Sequence, residues 1–302
     1  MPLGRSIRIQ ALLAESPILF IAFAFLFALL VGSFLNVVIY RMPVMMERSW
    51  REQCNELAET PAGDIPEGRF DLIAPRSRCP ACGQGITALQ NIPVISYLLL
   101  GGKCAGCGVK ISARYPTIEL LTAVLTGVVA WRFGFGPEAL AAIGMTWMLI
   151  AISVIDIDHQ YIYDNMVLPL VWVGLTLSLF HPMEGAEKLF IEPKASIVGA
   201  LAGYLSLWSV YHLFRLVTGK EGMGYGDFKL LAALGAWLGW QMLPLIILLS
   251  AVVGAVTGIA LIALRRHERS VPIPFGPYLA AAGWIAMLWG REIINWYLDY
   301  WS

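Results

Sequence analysis

Charged residues are scarce in this chain of 302 residues. Asp, Glu, Lys and Arg make up 14% of it, whereas hydrophobic residues make up 58%. Because soluble domains average about 25% charged residues, this composition excludes an ordinary soluble protein and indicates a membrane protein. The 21 basic and 21 acidic residues cancel. The lack of net positive charge also argues against a nucleic-acid partner attracted by bulk electrostatics.

The sequence also lacks the usual motifs of hydrolases and nucleotide-binding enzymes. It contains no visible Ser-His-Asp arrangement and no His-Glu-x-x-His zinc motif. It has no Gly-x-x-x-x-Gly-Lys-Ser phosphate loop, and the glycines of residues 222–226 have the wrong spacing for a dinucleotide fold. Internal repeats and low-complexity tracts are absent as well. Any catalysis must therefore depend on other groups.

Long apolar runs are what the sequence has instead. They predict an all-α polytopic membrane protein with about eight transmembrane helices, although the run at 228–240 is short for the ~20 residues that a span needs. The first run is long enough to cross a bilayer, and no small-residue cleavage site follows it, so we do not expect a removable signal peptide. The predicted spans are 18–40, 116–133, 138–156, 165–181, 195–217, 228–240, 242–264 and 275–291.

Residues 41–115 interrupt the apolar pattern, because charges, prolines and all five cysteines collect there. We expect a small cytoplasmic insertion between an N-terminal segment with the first span, residues 1–40, and a transmembrane core, residues 116–302. The insertion is too small for a large hydrophobic core, so a bound metal would help to stabilise it. Within it, residues 48–60 are at most an amphipathic helix, and residues 61–78 are typical of a loop.

The basic residues predict the orientation in the membrane. Fifteen of the 21 Lys and Arg lie on the side of the insertion and of the loops at 156–164, 215–229 and 265–274. The positive-inside rule makes that side cytoplasmic. An even number of spans then puts both termini on the opposite side. The six basic residues on that opposite side are Arg5, Arg8, Arg132, Lys188, Lys194 and Arg291.

Four of the five cysteines form two Cys-x-x-Cys pairs, and a glycine follows the second cysteine of each pair. This pattern is typical of a zinc knuckle pair, in which each turn points two thiolates inward. A reducing cytoplasm disfavours disulfides, so a metal site is favoured over a redox pair. Four thiolates close the coordination sphere, so the zinc would be structural and would fix the fold of residues 75–115. The predicted ligands are Cys79, Cys82, Cys104 and Cys107, whereas Cys54 is expected to be a spare thiol.

Two acidic residues lie at the ends of apolar runs, where a carboxylate is costly and by default marks function. Asp156 ends one predicted span, and Asp227 follows a glycine-rich turn and precedes another. If they meet at the membrane face, the two carboxyl groups share one proton. The ionised group can then draw a proton from water while the protonated group polarises a carbonyl. Such a pair suits amide hydrolysis without a metal or a nucleophilic side chain.

Structural roles for these acidic residues remain open. Asp227 could cap the helix that follows it, whereas Asp156 lies at a helix C-terminus, where the dipole disfavours a negative charge. Asp158 lies further from the apolar run, and Asp164 has a plain capping role before the next span. Lys229 could tune the charge of the site, but an interfacial anchor is the simpler role.

Several motifs, in this order along essentially the whole chain, resemble those of type IV prepilin peptidases. The resemblance implies an aspartic endopeptidase with its dyad at Asp156 and Asp227 on the cytoplasmic membrane face. The cysteine-bearing loop resembles the zinc-binding domain of the bifunctional members. Besides the paired cysteines, the motifs are Gly32-Ser-Phe-Leu-Asn36, Asn91-Ile-Pro-Val-Ile-Ser-Tyr97, Tyr115-Pro-x-x-Glu119, Gly224-x-Gly-Asp-Phe-Lys229 and Pro272-Ile-Pro-Phe-Gly-Pro277.

The resemblance also implies the reaction. Members of this family cut prepilins and type II secretion pseudopilins after a glycine that ends a short basic leader. They then methylate the new N-terminal residue with S-adenosylmethionine, in the bacterial inner membrane. No residues are assigned here to the methyl donor. One departure is that Ile162-Tyr163-Asp164 stands where the family has Leu-Pro-Asp, which restores a backbone donor to this loop.

Two other classes of function compete with this hypothesis. One is a non-catalytic membrane assembly factor whose zinc domain docks partners and whose aspartates only cap helices. The other is a proton-coupled transporter with the aspartates as its relay. A transporter should carry further polar groups across its spans, and few are visible beyond Asn36 and Glu119. For Asn36, a hydrogen bond to a neighbouring helix is an equally good explanation.

Overall fold

The computed structural model describes residues 13–58, 68–181, 189–264 and 273–301, and these ranges are helical with only two isolated β-bridges. Eight helices in the described part have 14 or more residues, and one short helix and two 3₁₀ turns connect them. The helices are α1 (Pro17–Leu57), α2 (Ile95–Leu99), α3 (Arg114–Phe133), α4 (Pro137–His159), α5 (Asp164–Ser178), α6 (Pro193–Thr218), α7 (Tyr225–Leu238), α8 (Leu243–Ala263) and α9 (Gly276–Trp301). The 3₁₀ turns are Leu89–Asn91 and Trp240–Met242.

Each of the eight predicted spans coincides with one long helix. Five helices of the described part are long and apolar enough to cross a membrane, namely α1, α3, α4, α6 and α8, the last together with the 3₁₀ turn before it. With 15 and 14 residues, α5 and α7 are shorter than the ~20 residues of a full span. The prediction of an all-α polytopic membrane protein is confirmed.

Helix α1 is longer than its apolar run. The side chain of Ser16 accepts the N–H of Leu19 at 3.4 Å and Pro17 occupies the first turn, so the start is well capped. The helix then continues for 41 residues, through Pro43, into the polar insertion. In the described part of the helical segment expected at 48–60, residues 48–57 are the end of α1 rather than a separate element. Only residues 68–78 of the loop expected at 61–78 are described, and they form no helix.

Residues 15–128 form one compact unit. Within it, α3 lies so close to α1 that a β-carbon at Gly32 would stand 2.7 Å from the Cα of Glu119. The side-chain amide of Asn36 donates to the carbonyl of Tyr115 at 3.1 Å, in addition to a carbonyl of its own helix. Asn36 therefore has the hydrogen bond between helices that the sequence left as one of its two explanations.

Within the insertion, the turn at residues 69–75 is attached to α1. The buried guanidinium of Arg41 donates to the backbone carbonyls of Asp71 and Pro75, the former at 2.7 Å. The backbone N–H of Ala74, the guanidinium of Arg69 and a second backbone N–H bind the carboxylate of Asp71 and lower its pKa to about 2. The turn at residues 69–75 is thus closed on itself and attached to α1.

Residues from 129 onward belong to the second compact unit. Its central helix is α7, which is buried at nearly every position from Asp227 to its end. Helix α6 approaches it closely, because a β-carbon at Gly199 would stand 2.2 Å from the carbonyl oxygen of Gly235. The hydroxyl of Ser196 and the indole of Trp237 each donate to a carbonyl of the adjacent helix, at 2.6 and 2.8 Å. Because other helices surround α7, it does not need the length of a helix that spans a bilayer in contact with lipid.

Candidate functional site

Asp156 lies in the last turn of α4, which ends where Gln160 adopts a left-handed conformation and donates its N–H to the carbonyl of Asp156 at 2.9 Å. The side chain is 5% exposed. Its Oδ2 accepts the backbone N–H of Gly276, the first residue of α9, at 3.1 Å. The carboxylate of Asp156 therefore faces the N-terminus of a second helix, where a negative charge is stabilised.

Asp227 lies in the first turn of α7 and is 7% exposed. The N-cap position belongs to Gly224, and no side chain caps this helix. Asp227 is therefore not the N-cap residue of α7, although its place in the first turn suits a negative charge. Its Oδ1 is buried and has no hydrogen-bond partner among the described residues. Buried polar atoms are nearly always hydrogen bonded, so an unpaired carboxyl oxygen is unusual and suggests a role in binding or catalysis.

The two aspartates come together through a tight packing of three chain segments. The loop residue Ile162 contacts Gly226, where a β-carbon would stand 2.6 Å from its Cβ, and Gly276, where a β-carbon would stand 2.9 Å from its Cδ1. Gly226 precedes Asp227, and Gly276 binds Asp156. The carboxyl groups of Asp156 and Asp227 interact electrostatically. The end of α4, the start of α7 and the start of α9 thus place two buried carboxyl groups in one site.

The other residues considered from the sequence lie outside this pair. Asp158 is exposed. Asp164 accepts the ammonium of Lys229 at 2.6 Å, so these two residues form an ion pair between α5 and α7. The sequence offered no signal for this pairing, because 65 positions separate the two residues. The two roles predicted for Lys229, an interfacial anchor and a group that tunes the charge of the site, did not include this ion pair.

The four predicted metal ligands form one cluster. Their Sγ atoms all lie within 4.8 Å of one another, and those of Cys79 and Cys107 are 3.9 Å apart. None of them forms a disulfide. A tetrahedral zinc site with Zn–S bonds of ~2.3 Å separates its sulfurs by about 3.8 Å, so the cluster fits such an ion. Cys54 is exposed and lies outside the cluster.

The two cysteine pairs are held by the same backbone pattern. In each, the N–H of the glycine after the second cysteine donates to the carbonyl of the first cysteine, at 2.9 Å for Gly83 and 3.0 Å for Gly108. Both glycines have a φ of +71°, which a residue with a β-carbon rarely adopts. Backbone N–H groups of Cys107 and Gly106 lower the pKa of Cys104 to about 6. The backbone of the second knuckle therefore favours the thiolate form of Cys104.

Comparison with known proteins gives matches over most of the chain. Residues 26–133 match the Bacterial Peptidase A24 N-terminal domain, and residues 143–259 match the Type IV leader peptidase family. Proteins of Stutzerimonas stutzeri and Pseudomonas aeruginosa, both named prepilin leader peptidase/N-methyltransferase, are 54% and 53% identical, over 95% of this chain and 97% of theirs. A protein of the same name from Legionella pneumophila is 42% identical over 97% of this chain and 99% of its own. No solved structure gives a significant match.

Proposed function

The chain belongs to the type IV leader peptidase family, and we propose that it is a prepilin leader peptidase and N-methyltransferase whose hydrolytic site is the pair Asp156 and Asp227. The observation that carries the assignment of this pair is that two buried carboxyl groups, 71 positions apart in the chain, interact in one site. One is held by a backbone N–H, and the other keeps an oxygen without a partner. This asymmetry suits a pair that divides the roles of base and acid.

In this proposal Asp156 is the ionised member, because its Oδ2 accepts the N–H of Gly276, whereas Oδ1 of Asp227 has no hydrogen-bond donor among the described residues. It removes a proton from a water molecule as the water oxygen attacks the carbonyl carbon of the scissile peptide bond. Asp227 carries the shared proton and donates a hydrogen bond to the carbonyl oxygen, using the carboxyl oxygen that lacks a partner. The C–N bond then breaks, and the proton taken up by the base passes to the leaving amine.

The substrates in this proposal are the precursors of type IV pilins and of type II secretion pseudopilins, cut after the glycine that ends the leader. The chain is a multi-pass membrane protein, and we place it in the bacterial inner membrane with the dyad and the cysteine cluster on the cytoplasmic side. This placement rests on the excess of Lys and Arg in the loops of that side. In the methylation step, S-adenosylmethionine would supply the methyl group.

The four-cysteine cluster is proposed to hold a structural zinc ion through Cys79, Cys82, Cys104 and Cys107. Its support is the set of four sulfurs within 4.8 Å of one another. Four thiolates leave no coordination position for a substrate or a water molecule, so the ion would stabilise the insertion rather than take part in hydrolysis. This separates the metal from the peptidase mechanism.

The test of the dyad is cleavage of a full-length prepilin by the purified protein in detergent. Asp156→Asn and Asp227→Asn preserve side-chain shape but remove the acid–base function, so each should slow cleavage by at least about 1000-fold. The matched control is Asp158→Asn, which changes an exposed aspartate of the same helix two positions away. Normal cleavage by Asp227→Asn would refute the peptidase assignment and favour an assembly factor.

A further inference from the structure

Three sequence motifs that the dyad does not use meet at one place in the unit formed by residues 15–128. They are Gly32–Asn36 on α1, Tyr115–Glu119 on α3, and the connecting segment 91–97. The carboxylate of Glu119 accepts the backbone N–H of Val94 at 2.8 Å, and a β-carbon at Gly32 would stand 2.7 Å from the Cα of Glu119. The residues of all three motifs are thus organised around Glu119.

The turn that Glu119 holds is strained. Val94 has φ 58° and ψ −50°, and the N–H of Ile95 donates to the carbonyl of Pro93 at 2.5 Å. These values describe the rare form of the γ-turn, whose central residue has a positive φ. The other non-glycine residue with a positive φ in the described part is Gln160, which has an ordinary left-handed conformation at a helix end. For a β-branched residue such a conformation is a genuine outlier, and outliers of this kind concentrate at functional sites.

The hydrogen bond from Val94 does not require the negative charge of Glu119. It is 8% exposed, and among the described residues no Lys, Arg or His lies within ion-pair distance of it. A glutamine would accept the same N–H without the cost of burying a charge. Val94, whose N–H binds the carboxylate, is half-buried, so Glu119 lies directly beneath a partly exposed residue. A buried carboxylate of this kind is suited to a ligand that brings its own positive charge.

Glu138, a buried glutamate in the unit that starts at residue 129, has a structural explanation that Glu119 lacks. Glu138 is also buried and accepts a backbone N–H, that of Leu189. However, it lies in the first turn of α4, where the helix dipole stabilises a negative charge. Glu119 lies beyond the first turn of α3, which begins at Arg114. Its charge is therefore not explained by the end of a helix.

We propose that Glu119 binds the free α-amino group of the cleaved peptide, the group that the second activity methylates. This inference rests on the proposed function, because hydrolysis of the leader produces a new N-terminal ammonium. That nitrogen must lose a proton before it can accept a methyl group. The carboxylate of Glu119 holds the ammonium and takes up this proton: one N–H bond breaks, and one O–H bond forms on the carboxyl group.

The test is binding to the purified full-length protein, without methyl donor, of two synthetic peptides with the sequence of a mature pilin N-terminus. One has a free α-amine, and the other is N-acetylated. The wild-type protein should bind the free amine at least tenfold more tightly than the acetylated peptide. Glu119→Gln should abolish this difference by weakening binding of the free amine, without weakening binding of the acetylated peptide. Glu138→Gln is the matched control and should bind both peptides as the wild type does.

Equal affinity of the wild-type protein for both peptides would overturn the proposal, and this result does not depend on how any variant folds. An unchanged preference in Glu119→Gln would overturn it as well. Prior assays of cleavage and methyl transfer by the wild-type protein separate this failure from a failure of the proposed function. If both reactions proceed and the amine preference is absent, only the role of Glu119 is wrong.

Discussion

The proposed dyad leaves no room for a side chain at Gly276. A β-carbon there would stand 2.6 Å from Oδ2 of Asp156 and 2.9 Å from Ile162. Gly276→Ala should therefore displace the carboxylate and lower the turnover number for prepilin cleavage by about 100-fold, since errors of about 1 Å in a catalytic group have effects of this size. Steady-state kinetics with a prepilin substrate measures the effect. KM should change much less than turnover, because the substitution alters the dyad and not the bound leader.

The control for this prediction is Gly144→Ala on α4, where a β-carbon would have nothing within 4 Å. It should cleave at the wild-type rate. If Gly276→Ala also cleaves normally, the hydrogen bond from Gly276 to Asp156 has no part in positioning the base.

At this scale the sequence identified the acidic groups but not the residues that arrange them. Asp156 and Asp227 could be selected because a carboxylate at the end of an apolar run is costly. Gly276 and Ile162 could not be selected, because their contacts join segments that are far apart in the chain. The strain at Val94 was equally invisible, since nothing in a local Pro-Val-Ile sequence predicts a positive φ.

At the scale of elements, the proposed zinc ion would join the two cysteine knuckles. Cys82→Ser should release the zinc and destabilise residues 75–115, because three thiolates hold a structural zinc poorly and the insertion has little core of its own. Metal analysis of the purified variant measures the loss, and proteolysis should cut the insertion faster than in the wild type. Cys54→Ser, which changes the exposed cysteine outside the cluster, should keep one zinc per chain. Zinc bound one-to-one in Cys82→Ser would contradict the proposed ligand set.

The close contact between α6 and α7 holds in place the helix that carries Asp227. Gly199→Ala would place a β-carbon 2.2 Å from a backbone carbonyl oxygen of α7, which no side-chain movement can relieve. We expect a loss of about 1–3 kcal/mol in stability, the usual range for overpacking. Thermal unfolding in detergent, followed by tryptophan fluorescence, measures it. Leu201→Ala on the exposed side of α6 should unfold close to the wild-type temperature, and a Gly199→Ala protein that does likewise would show that the helices can separate freely.

Apolar periodicity predicted the existence of every long helix, but the ends of the helices followed other rules. Helix α1 extends to Leu57 although Pro43 lies inside it and has no N–H to donate to the preceding turn. Helix α7 is a full structural element with only 14 residues because protein rather than lipid surrounds it. Length thresholds for spans assume contact with lipid, and so they fail for a helix in the centre of a bundle.

At the scale of the whole molecule, the sequence predicts the orientation in the membrane, which no single helix indicates. The asymmetric distribution of Lys and Arg predicts that Asp156, Asp227 and all five cysteines lie on one side of the membrane. That result is consistent with a single compartment for cleavage and for metal binding.

Orientation can be tested with a membrane-impermeant maleimide on spheroplasts of an expressing bacterium. The unmodified chain should remain unlabelled until the membrane is permeabilised, because its five cysteines are predicted to face the cytoplasm. Phe180→Cys, at the exposed end of α5 on the opposite side, should be labelled in intact spheroplasts. Lys220→Cys, in the loop before α7, should be protected and serves as the matched control. Labelling of Lys220→Cys but not of Phe180→Cys in intact spheroplasts would reverse the orientation, and the dyad could then not meet a substrate whose leader is cytoplasmic.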